Sequence, residues 1–300
     1  MATVLITGGS GLIGTHLTQL LLAEGFQVRH LSRTPRPGAP VPQFAWDLAR
    51  GTMDPAVLQG VDHVIHLSGA NIAQKRWTAG RMGELYASRS GAADLLRKTV
   101  EQTGAFPKSF ISASGINYYG AVTTDHVFTE SDPPGNDAIG RLTQAWEAAA
   151  DAWAPHCRVV KLRTPIVLAR EGGALPKLSL PARWGLAAPL GSGTQWMPWV
   201  HIADITHAYL HALRHADMHG AYNVVAPEQP TNRAFTRALA KALHRPAFLP
   251  AVPKFLLRAA LGELSSLLLK GARASNAKLV GTGFAFRYAG LEEALGQLLS

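Results

Sequence analysis

The sequence predicts an α/β protein: a doubly wound parallel sheet joined to a smaller C-terminal α/β region. Three observations support this. Short apolar strands alternate with amphipathic helices through the first half of the chain. A glycine-rich turn leads directly from the first strand into the first helix. Beyond about residue 168 the alternation gives way to Gly- and Pro-rich sequence.

Val4-Leu5-Ile6 forms the first strand and runs into Thr7-Gly8-Gly9-Ser10-Gly11-Leu12-Ile13-Gly14. An amphipathic helix follows at once (Ile13, Leu17, Leu20, Leu21) and is closed by Gly25. Glycines at 8, 11 and 14 permit a tight turn, close approach of a pyrophosphate, and close packing of helix on sheet. The helix start offers unpaired N–H groups and a positive dipole end to phosphates. A second strand, Gln27 to Leu31, completes the dinucleotide-binding context. A site selective for NAD needs a carboxylate about 20 residues after the glycines. No Asp or Glu occurs between Glu24 and Asp47, and the strand ends in Ser32-Arg33, with Arg36 nearby. A guanidinium there suits a 2′-phosphate, so the cofactor expected is NADP(H).

The alternation continues with strands over Val61–Leu67, Ser109–Ser112 and Arg158–Arg163, and helices over Ala87–Gln102 and around Trp146–Trp153. Thr34 to Pro42 reads as a surface loop. In a parallel sheet, ligands sit at the carboxyl ends of strands, so Leu67, Ser68, Gly69, Ala70, Asn71, Ser112, Ser114 and Arg163 should converge on one crevice. The cofactor domain is expected over 1–167 plus about 200–226, and a substrate or lid domain over 168–199 and 227–300. In between, Asp204 to His215 reads as a helix and Ala221 to Val225 as a short strand. Two or three helices are expected from Thr231 onward.

With 47% apolar and 16% charged residues, the chain can bury a sizeable core. The single cysteine, Cys157, rules out internal disulfides and Cys-based zinc, which fits a reducing cytoplasm. The first strand begins at the N-terminus, so no signal peptide is expected. No apolar run is long enough to span a bilayer, and no membrane partner is expected. The net charge of +9 is scattered, with no dense basic tract, which argues against nucleic acid. His207, His211, His215 and His219 recur at helical spacing. The first three lie opposite an apolar face with no carboxylate beside them, so a solvated stripe is expected and no metal site.

Taken together, these motifs resemble the extended short-chain dehydrogenase/reductases of the NAD-dependent epimerase/dehydratase superfamily. The resemblance rests on the glycine turn, His66-Leu67-Ser68-Gly69-Ala70, the Ser-rich strand end with Tyr119-Gly120, and Gly191-Ser192-Gly193 leading to Trp199-Val200-His201-Ile202-Ala203-Asp204. Lys75-Arg76-Trp77, Glu171-Gly172-Gly173, Ala226-Pro227-Glu228 and Gly281-Thr282-Gly283-Phe284 are similar to an epimerase-like branch with a C-terminal domain of unknown function. The resemblance implies a Rossmann fold, nicotinamide chemistry on a small molecule, and a monomer or homodimer. Relatives linked with division machinery suggest a second reading, an inactive NADPH-binding scaffold or sensor acting through a protein partner.

Two departures bear on chemistry. The superfamily's Tyr-x-x-x-Lys proton donor is absent, and Thr143 and Glu147 stand where it is expected. The arginine that grips a diphosphate after the Gly-x-Gly turn is replaced by Met197. The resemblance places Ser114 where a substrate carbonyl is polarised. Tyr118 or Tyr119 stands in as proton donor, or both pack structurally. Glu147 is a helix-surface acid or a ribose contact. Arg163 contacts an anion or forms a salt bridge between the two domains. Lys75-Arg76-Trp77 holds a substrate or caps a loop.

Overall fold

The computed structural model describes all 300 residues. The parallel strands are β1 (Thr3–Thr7), β2 (Gln27–Ser32), β3 (Gln43–Asp47), β5 (His63–His66), β6 (Ser109–Gly115), β8 (Arg158–Thr164) and β11 (Gly220–Asn223). One short antiparallel strand, β4 (Thr52–Met53), closes an edge, and the spatial order is β11-β8-β6-β5-β1-β2-β3-β4. Strand order reverses between β1 and β5, so their carboxyl ends open a crevice at the topological switch point.

Helices cover both faces. On one side α1 (Leu12–Ala23) and α6 (Ile202–Arg214) pack on Val4, Ile6, Ile111, Val160 and Leu162. On the other, α3 (Ala92–Thr103) and α4 (Ala138–Asp151) pack on Leu5, Val64, Phe110 and Val159. Trp153, fully buried, stacks on Phe110 with ring centroids 4.3 Å apart. Central strands buried on both faces explain why their sequences read as unbroken apolar runs.

One residue after β8, the chain forms β9 (Ile166–Leu168), which pairs with β10 (Trp199–His201) in a separate two-stranded sheet. The helices α5 (Leu175–Arg183), α7 (Asn232–Ala242) and α11 (Leu291–Leu299) gather around it in a third core with Trp199 and Phe235. Between α7 and α11 run α8 (Lys254–Leu261), α9 (Ser266–Leu269) and α10 (Ala277–Val280). A second small sheet pairs β7 (Val127–Phe128) with β12 (Arg273–Ala274).

Several elements differ from the sequence expectation. The helix expected from Ala87 begins earlier, as α2 (Ala79–Tyr86), and passes through a π-turn at Ala87–Gly91 before α3. The helix expected from Asp204 starts at Ile202, because the His201 Nδ1 caps it by accepting from Ala203 N at 3.1 Å. The edge strands β3 and β4 were not expected, although Trp46 anchors β3 in the core. More helices follow Thr231 than foreseen, because several are only four residues long. The histidine stripe is also less solvated than expected. His211 lies 2.9 Å from Thr282 Oγ1, stacks on His215 at 3.6 Å, and meets the edge of Phe284. No three His, Cys or acidic side chains gather as a metal site. No helix is long and apolar enough to cross a membrane.

Burial lowers the pKa of several core histidines. His30, His63 and His201 are lowered, and fully buried His66 falls to about 4. Above the ordinary value of 6.5, native and unfolded histidines are both neutral. Below it the unfolded chain takes up protons first, so stability falls as pH drops toward 4. His66 alone accounts for about 3 kcal/mol over that window. Urea denaturation measured from pH 7 to pH 4.5 should show a steep loss with uptake of more than one proton on unfolding. A flat profile would contradict the burial of these imidazoles.

Candidate functional site at the carboxyl ends of the strands

The glycine turn is shaped by contacts that exclude a side chain. Gly8 has φ +73°, a conformation L side chains rarely adopt, and its carbonyl accepts from Gly11 N at 3.0 Å. A Cβ on Gly14 would lie 2.4 Å from the Gly8 oxygen, and one on Gly9 would lie 2.4 Å from the His30 ring. Gly11 is different. Its Cβ would meet only the Gly8 carbonyl, at 3.2 Å, so this side of the turn is open. Gly11 caps α1 with no side-chain hydrogen bond and no acid in the first turn. The start of α1 therefore presents free N–H groups and positive potential, as a phosphate requires. Ser10 lies in the turn and Leu12 and Ile13 open α1, while a Cβ added to Gly172 or Gly173, ahead of α5, would lie 3.4 or 3.1 Å from the Leu12 side chain.

His30 was not foreseen. It fills the space beneath Gly9, and its Nε2 lies 2.8 Å from Thr18 Oγ1. The only sequence signal for it was Gly9 itself, a residue that lets another group approach.

The turn abuts the end of β5. Thr7 Oγ1 bonds His66 Nδ1 at 2.8 Å and accepts from Ser68 N at 3.2 Å, while Leu67 N donates to Thr7 O. The following Gly69-Ala70-Asn71 loop rests on two buried arginines. Arg89 donates to Ala70 O at 3.0 Å, and a Cβ on Gly69 would lie 3.0 Å from its guanidinium carbon. Arg81 donates to Asn71 O. Sequence reasoning missed both; for Arg89 the reason is the π-turn, which sets the phase that brings Ser88 and Arg89 together under Ala70. Beyond β2, Ser32 Oγ accepts from Thr34 N at 3.2 Å, and Arg33 is exposed. Glu84 is held below the usual carboxylate range chiefly by its hydrogen bond to Arg81, with smaller contributions from Lys75 and Arg33. Basic groups thus collect where β2 and the β5 loop meet.

Across the crevice, Ser114 on β6 pairs in register with Arg163 on β8, and α4 brings Glu147 over both. Ser114 Oγ donates to Glu147 Oε1 at 2.7 Å. Arg163 Nε and Nη2 donate to the two carboxylate oxygens at 2.7 and 2.9 Å. Lys161 stands 3.6 Å from Glu147 and 2.7 Å from Asp151. Arg163 Nη1 donates to the Tyr119 hydroxyl at 2.8 Å, and the single phenolic proton is shared between Asn223 Oδ1 at 2.8 Å and Thr129 O at 2.9 Å. Burial alone would lower the Arg163 guanidinium, but the hydrogen bonds and charge of Glu147 prevail and its pKa is raised. Burial pushes the Tyr119 phenol up to about 12, despite the opposing charge of Arg163.

This network revises several expectations. Glu147 is 4% exposed, so it is neither a helix-surface acid nor open to a ribose. Arg163, 2% exposed, is committed to Glu147 and Tyr119 rather than to an anion or a bridge between domains. Tyr119 is 2% exposed, with its hydroxyl held by Arg163, Asn223 and Thr129, so its phenol is closed off from the crevice. Ser112 is buried and bonds the neighbouring Ala113 carbonyl. Thr143 bonds Ile139 O within α4. Tyr118 is the exception, half-buried, with the Arg163 guanidinium carbon 3.5 Å from its ring centroid. Arg76 caps the carboxyl end of α8 through Ala259 O and Ala260 O at 2.6 and 2.9 Å, so part of that motif caps an element instead of facing the crevice.

Removing one partner of a buried ion pair strands the other charge. Glu147→Gln should therefore cost about 3–5 kcal/mol of stability by urea denaturation. Ser114→Ala leaves the Glu147–Arg163 fork intact and should cost about 1–2 kcal/mol. Equal losses from the two substitutions would contradict the hierarchy drawn here.

Comparison with known proteins supplies the lineage. The profile of the NAD dependent epimerase/dehydratase family matches residues 4–225, and that of a domain of unknown function (DUF1731) matches residues 252–298. The mouse epimerase family protein SDR39U1 is 37% identical over 301 residues, covering 99% of each chain. The Bacillus subtilis epimerase family protein YfhF is 33% identical over 304 residues, covering 99% of this chain and 98% of the relative. The crystal structure of human SDR39U1 with NADPH superposes with a TM-score of 0.88 at 35% identity, covering 99% of this chain and 98% of that one. MoeE5 in complex with UDP-glucose and NAD shares the fold, with a TM-score of 0.81 at 22% identity. The glycine turn, the switch-point crevice and the end-to-end match lead to one conclusion: the chain belongs to the NAD dependent epimerase/dehydratase family, in the SDR39U1-like branch with a DUF1731 C-terminus.

Proposed function

We propose that this protein binds NADPH across the β1–β5 crevice and uses it in an oxidoreductase- or epimerase-type conversion of a small molecule. The observation that carries the reading is the uncapped start of α1 behind Gly8–Gly14, with Arg33 instead of a carboxylate after β2. NADPH bound to the human relative supports the choice of cofactor. In this reading the α1 amide groups hold the pyrophosphate and Ser32 and Arg33 hold the 2′-phosphate. Leu67 to Asn71 flank the dinucleotide. When bound, nicotinamide supplies or accepts hydride at the carboxyl ends of the strands. The chain's own part is orientation and a proton. Ser114, fixed by Glu147, sets the polar floor of the crevice. Tyr118, half-buried beside Arg163, is the phenol left to donate a proton once Tyr119 is sealed.

A second reading is favoured by one observation. Glu147 has become an internal ion-pair partner where a lysine would have served a proton relay, which also suits a scaffold that binds NADPH without turning it over and acts through a protein partner. Purified protein with NADPH and a broad panel of carbonyl compounds separates the two. Oxidation of cofactor with at least one class supports the enzyme, and tight binding with no turnover supports the scaffold.

Cofactor preference tests the shared premise. Charge-assisted hydrogen bonds are worth about 1.5–3 kcal/mol, so Arg33→Ala should weaken NADPH roughly ten- to hundredfold and leave NADH nearly unchanged. Arg36→Ala should do less. Equal affinity of the unmodified protein for NADPH and NADH, measured by calorimetry, would overturn the cofactor assignment.

A further inference from the structure

Two cavities share α7. The larger, about 410 Å³, lies between α5, α7 and the α8–α9 segment, and 15 of its 19 lining residues are hydrophobic. Phe235 and Leu239 of α7 form one wall, Met197 and Ala182 another, and Leu264 and Leu268 a third. The smaller, about 320 Å³, lies on the other side of Thr236 and contains Arg233 and Arg237, one helical turn apart. Thr236 lines both cavities.

The polar inventory of the larger cavity narrows its occupant. Asn232 is buried, with its Oδ1 accepting from Leu190 N at 2.7 Å and its Nδ2 directed at Met197 Sδ at 3.0 Å. The Thr236 hydroxyl donates to Asn232 O at 2.8 Å. These donors are already engaged, which leaves Lys177, exposed at the edge, as the cavity's charged group. A uracil ring or a diphosphate in this space would lose its water without gaining partners, at a cost that an apolar chain does not incur. The volume falls within the roughly 300–1,000 Å³ of small-molecule sites.

Charge in the smaller cavity points to one kind of head group. Arg233 gives one N–H to Ser192 O at 3.0 Å, and its remaining donors and those of Arg237 are free. No Asp or Glu occurs from Gln229 to Gly262, so no carboxylate in that stretch competes for them. Apolar side chains also stay at the surface beside both openings. Leu186 is 58% and Phe248 76% exposed, and α8 buries none of its residues. The larger cavity also lies near the glycine turn, because α5 begins just after Gly172–Gly173, where an added Cβ would meet Leu12 at 3.4 or 3.1 Å, and Ala73 on the loop after β5 lines the cavity.

We propose that these adjoining cavities bind one anionic amphiphile, with an apolar chain in the larger and a carboxylate or phosphate head against Arg233 and Arg237. As a substrate site, this rests on the NADPH reading above; as a binding site, it stands without turnover. The full chain saturated with NADPH is titrated calorimetrically with decanoate, decyl phosphate, 1-decanol and decyltrimethylammonium below their micellar concentrations. Decanoate and decyl phosphate should bind at least about tenfold more tightly than decanol, and the ammonium no better than decanol. Their relative affinity tells which head group the arginines favour. Arg233→Ala with Arg237→Ala should bring both anions to the level of decanol without changing decanol itself. The double lysine variant, R233K with R237K, should retain most of the preference. NADPH affinity should be the same in all of these proteins. Equal affinity for all four head groups, or binding of none, overturns the proposal. Amphiphile binding by a chain that does not hold NADPH would overturn only the cofactor reading.

Discussion

The buried fork between Glu147 and Arg163 organises the crevice. Its carboxylate takes two guanidinium hydrogen bonds and one from Ser114, so the lone pairs of a desolvated acid are well used. Taking either charge out of water is expensive unless the other is in place, which forces α4, β6 and β8 into one relative position. Through Tyr119, the same guanidinium also reaches Asn223 on β11 and the Thr129 carbonyl. The last three strands of the sheet thus end in a single polar cluster.

The opposite wall of the crevice is built by exclusion of atoms. Gly9 and Gly14 leave room for the His30 ring and the Gly8 carbonyl, and Gly11 leaves room on the open side. The two walls follow different rules. One is rigid because charges must be matched, the other because no extra carbon fits. A cofactor lying between them would meet preformed surfaces on both sides, with little ordering cost on binding.

Legibility in the sequence follows the range of each interaction. The glycine turn and the first helix could be read because strand, turn and helix are contiguous and each residue's task is local. The central strands could be read because burial on both faces leaves an apolar run. The partner of Glu147 could not, since the pairing depends on the register of β6 with β8 and on how α4 crosses them. Arg89 was hidden for a similar reason: one π-turn shifts the helical phase, and periodicity counted from either side misses it. The C-terminal helices were hard to count because the four-residue ones are shorter than a full hydrophobic period. The absent Tyr–Lys pair was visible in the sequence, but what replaced it was visible only in three dimensions.

Arg76 holds the end of α8 through backbone carbonyls alone. Carbonyls are the same whatever side chains the helix carries, so this clasp places no demand on residues 259 and 260. Substitutions along α8 would change its surface, and with it the rim of the neighbouring cavity, without removing the carbonyls that Arg76 grips. Arg76 enjoys no such freedom, because a lysine cannot reach two carbonyls with the same planar fork. The arrangement separates how the helix is anchored from which side chains it presents.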